Sequence, residues 1–218
     1  KRFRKDLEAH GGDAEQIEEA CLDMSQAFIN GLTEQFPEAE LTFDGFHLMQ
    51  LLTKAVDDTR REEQKTRPEL KGTRFVWLKN DWNRTARQQE AFDALRASNL
   101  KTMRANHIKN VFQDVFACRD RTQAAGMLKA WYFWATHSRI GPMVKAAKTI
   151  KRHWAGVLRW FTSRISNGVL EAINSLIQSA KAKARGFRNT GYLITMVYLI
   201  AGKLDFKLPK LGYLAHSK

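Results

Sequence analysis

The hydrophobic and polar positions of this chain follow two different patterns. Most of the sequence after residue 25 places apolar residues every three or four positions, which is typical of amphipathic helices. Two short apolar runs, at 20–22 and 41–43, instead have the length of strands, and the helix predicted at 25–36 between them ends at Pro37. A strand–helix–strand segment of this size predicts a parallel βαβ crossover.

Each predicted strand ends at an aspartate, Asp23 after the first and Asp44 after the second. Ligands of open α/β sheets bind beyond the carboxyl ends of the strands, which makes both residues candidates for chemistry. The pattern also fits structural roles, with Asp23 as a helix N-cap and Asp44 as a turn residue.

Residues 47–160 show no strand pattern and predict an all-helical segment. The predicted helices are 47–61, 83–95, 100–116, 123–137 and 143–165. The aromatic run from Trp131 to Trp134 is interpreted mainly as helix core, and stacking on nucleobases is the alternative.

Glu171 is the only Asp or Glu between Asp120 and Asp205, a stretch that carries fourteen Lys and Arg residues. It lies on a predicted amphipathic helix, with Ser166 or Asn167 available as the N-cap. Its polar stripe contains Glu171, Asn174, Gln178, Lys181 and Arg185. Such a stripe suits a metal-binding acid beside a track for phosphates, or else a solvated face on which Glu171 pairs with a cation.

The charge balance favours a polyanionic partner. Thirty-six Lys and Arg against 23 Asp and Glu give a formal net charge of +13, for which nucleic acid is the first candidate and an acidic membrane surface the second. No apolar run has the length of a membrane span and no signal peptide is evident. Two separated cysteines fit a reducing cytoplasm.

Clustered cations suggest where phosphates would bind. Lys181, Lys183, Arg185 and Arg188 follow Glu171 along the same predicted path, and a second group forms one helix face, comprising Lys145, Lys148, Lys151 and Arg152. A solvated face is the alternative for this second group. Two strand-end aspartates and a helical glutamate could together hold two Mg²⁺ ions for phosphodiester displacement.

Several blocks of the chain resemble one family, the ISL-three-type insertion-sequence transposases of the DDE class. The matching blocks, which together span nearly the whole chain, are 22–25 with 27–28, 36–40, 43–47, 74–80, Trp131 with 134–135, 165–175 and 184–189. The 165–189 region, with its acid, amides and Gly-Phe-Arg-Asn sequence, is the most specific of them, and the Asp-Gly-Phe-His block at 44–47 is moderately specific.

The resemblance implies an α/β, mostly helical fold with a partial ribonuclease-H-like core at 1–48, an all-helical insertion at 49–160, returning core helices at 161–205 and a tail at 206–218. It implies Asp23 as the second catalytic aspartate and Glu171 as the catalytic glutamate, both metal ligands, with Asp44 and His47 supporting them as an Asp-x-x-His element. Asp44 in place of Asp23 as the metal ligand is left open.

The same resemblance implies a cytoplasmic, DNA-associated bacterial enzyme. It would use two Mg²⁺ or Mn²⁺ ions, bind terminal inverted repeats and target DNA, and act as a homo-oligomer. One feature departs from the family, whose first catalytic aspartate lies on an earlier strand, because Asp6 and Asp13 have helical or turn contexts. We therefore expect an N-terminally truncated catalytic region that is inactive alone, and a non-catalytic DNA-binding remnant is the alternative.

Overall fold

The computed structural model describes residues 2–202 and is mostly helical, with one small parallel sheet. An α/β, mostly helical fold was predicted, and this coarse description is confirmed. The chain divides into two compact units, Lys1–Ser166 and Asn167–Lys218. Within residues 2–202, no helix combines the length and the apolar character needed to cross a membrane.

The N-terminal segment forms the predicted strand–helix–strand unit. Helix α1 spans Arg2–Ala9, strand β1 Glu19–Leu22, helix α2 Gln26–Gln35 and strand β2 Glu40–Phe43. The two strands are parallel, with Leu22 paired to Phe43 at their carboxyl ends. This register places both strand-end aspartates at the same edge of the sheet.

The remainder of the first unit consists of helices. They are α3 (Gly45–Glu63), α4 (Arg74–Leu78), α5 (Ala86–Arg96), α6 (Lys101–Val115), α7 (Arg121–His137), α8 (Gly141–Arg152) and α9 (Trp154–Ser163). No strand occurs between residues 47 and 160, as the periodicity predicted. The short α4 was not predicted as a helix, because its five residues are too few to show a period.

The core of this unit lies among α3, α6, α7 and α8, which pack against one another. Trp77 and Trp131 are its largest side chains, and each indole N–H is satisfied. Trp77 donates to the Thr73 hydroxyl at 2.9 Å, and Trp131 donates to the Ile108 carbonyl at 2.8 Å. Trp131 therefore belongs to the core, as interpreted from the sequence. For Phe133 and Trp134 of the same aromatic run the core interpretation is wrong, because these side chains are 65% and 37% exposed.

The single helix predicted at 143–165 is wrong, because the helix breaks at His153 into α8 and α9. The break lets α8 pack on α3 while α9 packs on β2. At Gly156 the two elements approach closely, since a Cβ there would overlap the Phe43 ring and lie 3.0 Å from the Leu41 carbonyl oxygen. The packing of α9 on the sheet determines where the helix breaks, and the hydrophobic periodicity of the sequence does not reveal such packing.

The second unit contains two packed helices, α10 (Gly168–Lys183) and α11 (Thr190–Ala201). Asn167 occupies the N-cap position of α10, as one of the two predicted candidates, but its side chain makes no capping bond. Between the helices the backbone turns through Arg185 (φ 53°) and Gly186 (φ 95°), and glycine supplies the left-handed conformation at no steric cost.

Candidate active site

The sheet and the first turn of α3 bring two predicted site residues together. Asp44 follows β2, is 7% exposed and accepts a hydrogen bond from the Phe46 amide at 2.9 Å. It is therefore the N-cap of α3, which fixes the direction of its carboxylate. Three residues later, His47 lies on the same face of the helix. One carboxylate oxygen of Asp44 and one ring nitrogen of His47 lie within 4.8 Å of each other.

His47 carries a polar atom that needs a partner. Its Nδ1 is buried, and no group in residues 2–202 hydrogen-bonds to it. Its ring meets Phe46 edge to face, with 5.5 Å between the centroids, and is partly buried. A buried, unpartnered imidazole nitrogen beside a carboxylate fits a divalent ion such as Mn²⁺, for which both are suitable ligands.

Asp23 lies at the end of β1, next to the Asp44 position in the parallel ladder. Its carboxylate accepts from the Ser25 amide at 2.7 Å, just before α2. The side chain is partly buried and thus retains access to solvent. The alternative role of Asp23 as a helix N-cap is wrong, because Ser25 is the N-cap of α2 and Asp23 shapes the turn that leads into it.

Helix α9 braces both strands from residues far along the chain. The Arg159 guanidinium pairs with Glu19 of β1 at 2.6 Å and with Glu40 of β2 at 3.4 Å. The Thr42 and Ser163 hydroxyl oxygens lie 3.3 Å apart. The Arg159 contacts lie at the amino ends of both strands, and the Thr42 contact lies near the carboxyl end of β2. Helix α9 therefore holds the sheet whose carboxyl ends present Asp23 and Asp44. Sequence analysis missed Arg159, and the sequence carries no signal for it, because 140 positions separate it from Glu19.

Glu171 occupies the first turn of α10, and its side chain is exposed. Within the described part of the second unit, no Lys or Arg forms an ion pair with it. The salt-bridge alternative therefore has no support within this unit. The Glu171 carboxylate lies at the amino end of the helix, where exposed backbone N–H groups favour a negative charge.

The cations of the second unit form an exposed group at the far end of α10. Asn174 and Gln178 are also exposed along the helix. The charged side chains continue through the turn toward α11, with Lys181, Lys183, Arg185 and Arg188 all exposed. Exposure leaves these side chains able to contact phosphate.

Three of the four cations predicted to form one face of α8 line the same hollow in the first unit. Lys145, Lys148 and Arg152 line one surface hollow of about 540 Å³, and Arg139 joins them. Lys151 instead lies 4.1 Å from the centroid of the Trp154 ring, in a cation–π contact. Arg139 was missed because it precedes the helix, where its left-handed backbone (φ 60°) has no periodic signal.

Comparisons with known proteins identify the family of this chain. A family model described as Transposase, of the ISL3-type DDE transposases, matches residues 1–197. This chain belongs to that family, as predicted from the blocks at 43–47 and 165–189.

Two curated relatives support the same family. The chain is 26% identical to the transposase for insertion sequence element IS1557 of Mycobacterium tuberculosis, and 24% identical to that for IS1001 of Bordetella parapertussis. Each match covers 85% of this chain and 48% of the relative. The chain thus spans about half the length of the curated relatives it matches. No solved structure matches the chain.

Proposed function

We propose that this chain carries part of the catalytic centre of a DNA transposase, which cuts phosphodiester bonds at the ends of an insertion sequence and joins them to target DNA. The observation that carries the proposal is the pair formed by Asp44 and His47, in which the buried Nδ1 lacks a hydrogen-bond partner among the described residues. Membership of a transposase family supplies the reaction class.

The proposed ligands come from residues that the fold already constrains. Asp44 is held by the Phe46 amide, so its carboxylate needs little reordering to bind a cation. Its neighbour at the strand ends, Asp23, and the helical Glu171 are proposed as the further carboxylate ligands, and His47 as a nitrogen ligand or support. A bound Mg²⁺ or Mn²⁺ pair would activate the attacking oxygen and stabilise the leaving oxygen.

The exposed cations are proposed to hold the DNA backbone. Lys145, Lys148 and Arg152 converge on one hollow with Arg139, a geometry that suits a phosphate group. The second unit would add Asn174, Gln178 and the cations from Lys181 to Arg188 along its exposed face. The terminal inverted repeats and target DNA are the proposed substrates, bound by a homo-oligomer in the bacterial cytoplasm. The small parallel sheet is proposed to be part of a ribonuclease-H-like core.

Manganese binding tests the metal site directly. The wild-type chain, titrated with Mn²⁺ and followed by electron paramagnetic resonance, should sequester the ion. Asp44→Asn and Glu171→Gln should each weaken binding by about 10-fold or more, because each removes a charged oxygen ligand. Asp58→Asn is the matched control, since Asp58 is also on α3 but pairs with Lys54 at 2.6 Å. Unchanged Mn²⁺ affinity in Asp44→Asn would overturn the site.

A DNA-binding assay distinguishes residues that bind metal from residues that bind phosphate. Glu171→Gln should leave the affinity for duplex DNA unchanged, whereas Lys148→Ala with Arg152→Ala should reduce it and make its salt dependence shallower. A chain that binds DNA but fails to bind Mn²⁺ would favour the non-catalytic DNA-binding alternative.

A further inference from the structure

A mostly apolar hollow of about 580 Å³ opens directly beside the Asp44 carboxylate in the first unit. It lies where the start of α3, the end of α4, α6 and α9 meet, and its volume is typical of small-molecule sites. Phe46, Phe116 and Trp160 contribute its aromatic surface. None of the residues assigned above to phosphate binding lines it.

The aromatic walls are held in place by specific contacts. Phe116 approaches the backbone of Gly45 so closely that a Cβ there would lie 3.1 Å from its ring. The Phe116 and Trp160 rings meet edge to face, with centroids 5.3 Å apart. The Arg164 guanidinium lies 4.6 Å from the Trp160 centroid and donates to the Arg119 carbonyl at 2.8 Å. Rings fixed in this way offer preformed surfaces for stacking a planar group.

Three carboxamides complete the lining. Gln50, Asn80 and Gln113 belong to three separate elements or loops, and no hydrogen-bond partner is found for any of their side chains within residues 2–202. A carboxamide offers both a donor and an acceptor, the combination that the edges of nucleobases present. Several unpartnered carboxamides around an apolar hollow therefore favour a planar, neutral ligand with a mixed hydrogen-bonding edge.

The charges of the residues that line the hollow favour a neutral base over an anionic phosphate as its ligand. Among residues 2–202, Asp44 is the only charged residue that lines the hollow, and no Lys or Arg does so. The described lining therefore offers no cation to hold an anionic group, whereas a neutral ring needs none. The phosphate attached to such a ring would lie toward Asp44 and His47, where the metal is proposed to bind.

We propose that this hollow binds one unstacked nucleobase of the DNA strand whose phosphodiester is cut at the Asp44–His47 site. The inference rests on the proposed function and adds a recognition element to it. Stacking against Phe46, Phe116 or Trp160 would fix the nucleotide, and the carboxamides would contact its base edge. Holding the base would orient the adjacent phosphate for reaction.

An abasic oligonucleotide tests the proposal with the intact chain. Fluorescence anisotropy compares a 12-nucleotide oligothymidylate with an oligomer of the same length that has the sugar–phosphate backbone and no bases. Wild type should bind the thymidylate at least about fivefold more tightly, because base–aromatic stacking contributes that much per base. Phe46→Ala should bring the ratio close to one, and since Phe46 is 57% exposed this substitution should not disturb the core.

Two further variants test whether the preference for bases depends on this hollow. Asn80→Leu with Gln113→Leu should also lower the ratio while keeping the walls. Phe133→Ala is the matched control, because Phe133 is 65% exposed on α7 and does not line the hollow. Equal affinities of wild type for both oligomers would overturn the base site and leave DNA binding intact. Loss of the preference in Phe133→Ala alone would also overturn it, and no binding of either oligomer would overturn the proposed function itself.

Discussion

The two units of the chain use apolar residues in opposite ways. The first unit has a continuous core in which Trp77 and Trp131 are almost wholly buried. In the described part of the second unit no side chain is fully buried, although α11 contains mostly apolar residues. There, Leu170 and Tyr192 remain 63% and 71% exposed. Apolar composition therefore does not by itself make a core, because two helices cannot surround a side chain.

The largest effect should come from truncating the core of the first unit. Trp131→Ala removes a ring packed against Phe112, at 4.6 Å between centroids, and a hydrogen bond to Ile108. We expect a loss of about 3–5 kcal/mol in the free energy of unfolding. Leu170→Ala in the second unit should change it by less than about 0.5 kcal/mol. Urea unfolding followed by far-UV circular dichroism measures the stability of both variants. Equal losses of stability would contradict the difference between the two units.

A buried lysine extends the comparison to charge. Lys109 on α6 is 1% exposed and donates to the Trp77 carbonyl at 3.3 Å, whereas Lys181 on α10 is exposed. Burial, and to a smaller extent the nearby Arg84 guanidinium, lower the pKa of Lys109 to about 8, while Asp81 opposes the shift. The charged form of Lys109 therefore lowers the stability of the folded first unit.

The sign of the pH effect follows from that lowered pKa. Between pH 8 and about 10.4 the unfolded chain binds more protons at Lys109 than the folded chain does, so stability should rise with pH. Below pH 8 both states are protonated, and the destabilisation is fully present. The free energy of unfolding of the wild type should rise by roughly 3 kcal/mol over this pH range, and Lys109→Met should abolish the rise. Lys181→Met is the control, and a wild-type profile that matches Lys109→Met in slope would refute the effect.

Local patterns in the sequence were enough to predict the sheet and its aspartates. Period and length identify both strands, whereas the pair formed by Asp44 and His47 was expected only from the Asp-x-x-His element that the resemblance implies. The break at His153 and the Arg139 contribution to the cationic hollow were not predictable, because they depend on packing and on a left-handed residue outside any helix. The apolar hollow also escapes sequence analysis, since Phe116 and Trp160 meet across 44 positions. The roles of Asp23 and Glu171 as metal ligands stay predictions.

The smallest effect concerns two glycines of the first unit that differ in their surroundings. A Cβ at Gly156 would overlap Phe43 and lie 3.0 Å from the Leu41 carbonyl oxygen, while a Cβ at Gly126 on α7 would meet nothing within 4 Å. Gly156→Ala should therefore destabilise the unit by about 1–3 kcal/mol. Gly126→Ala should stabilise it by about 0.5–1 kcal/mol, through helix propensity.

Urea unfolding gives the stability of both variants, and Mn²⁺ affinity adds a second readout. Displacing α9 from β2 shifts the strand end that carries Asp44, so Gly156→Ala should weaken Mn²⁺ binding while Gly126→Ala leaves it unchanged. Gly156→Ala with unaltered stability and unaltered Mn²⁺ affinity would show that α9 does not brace the sheet as closely as the contacts at Phe43 and Leu41 indicate.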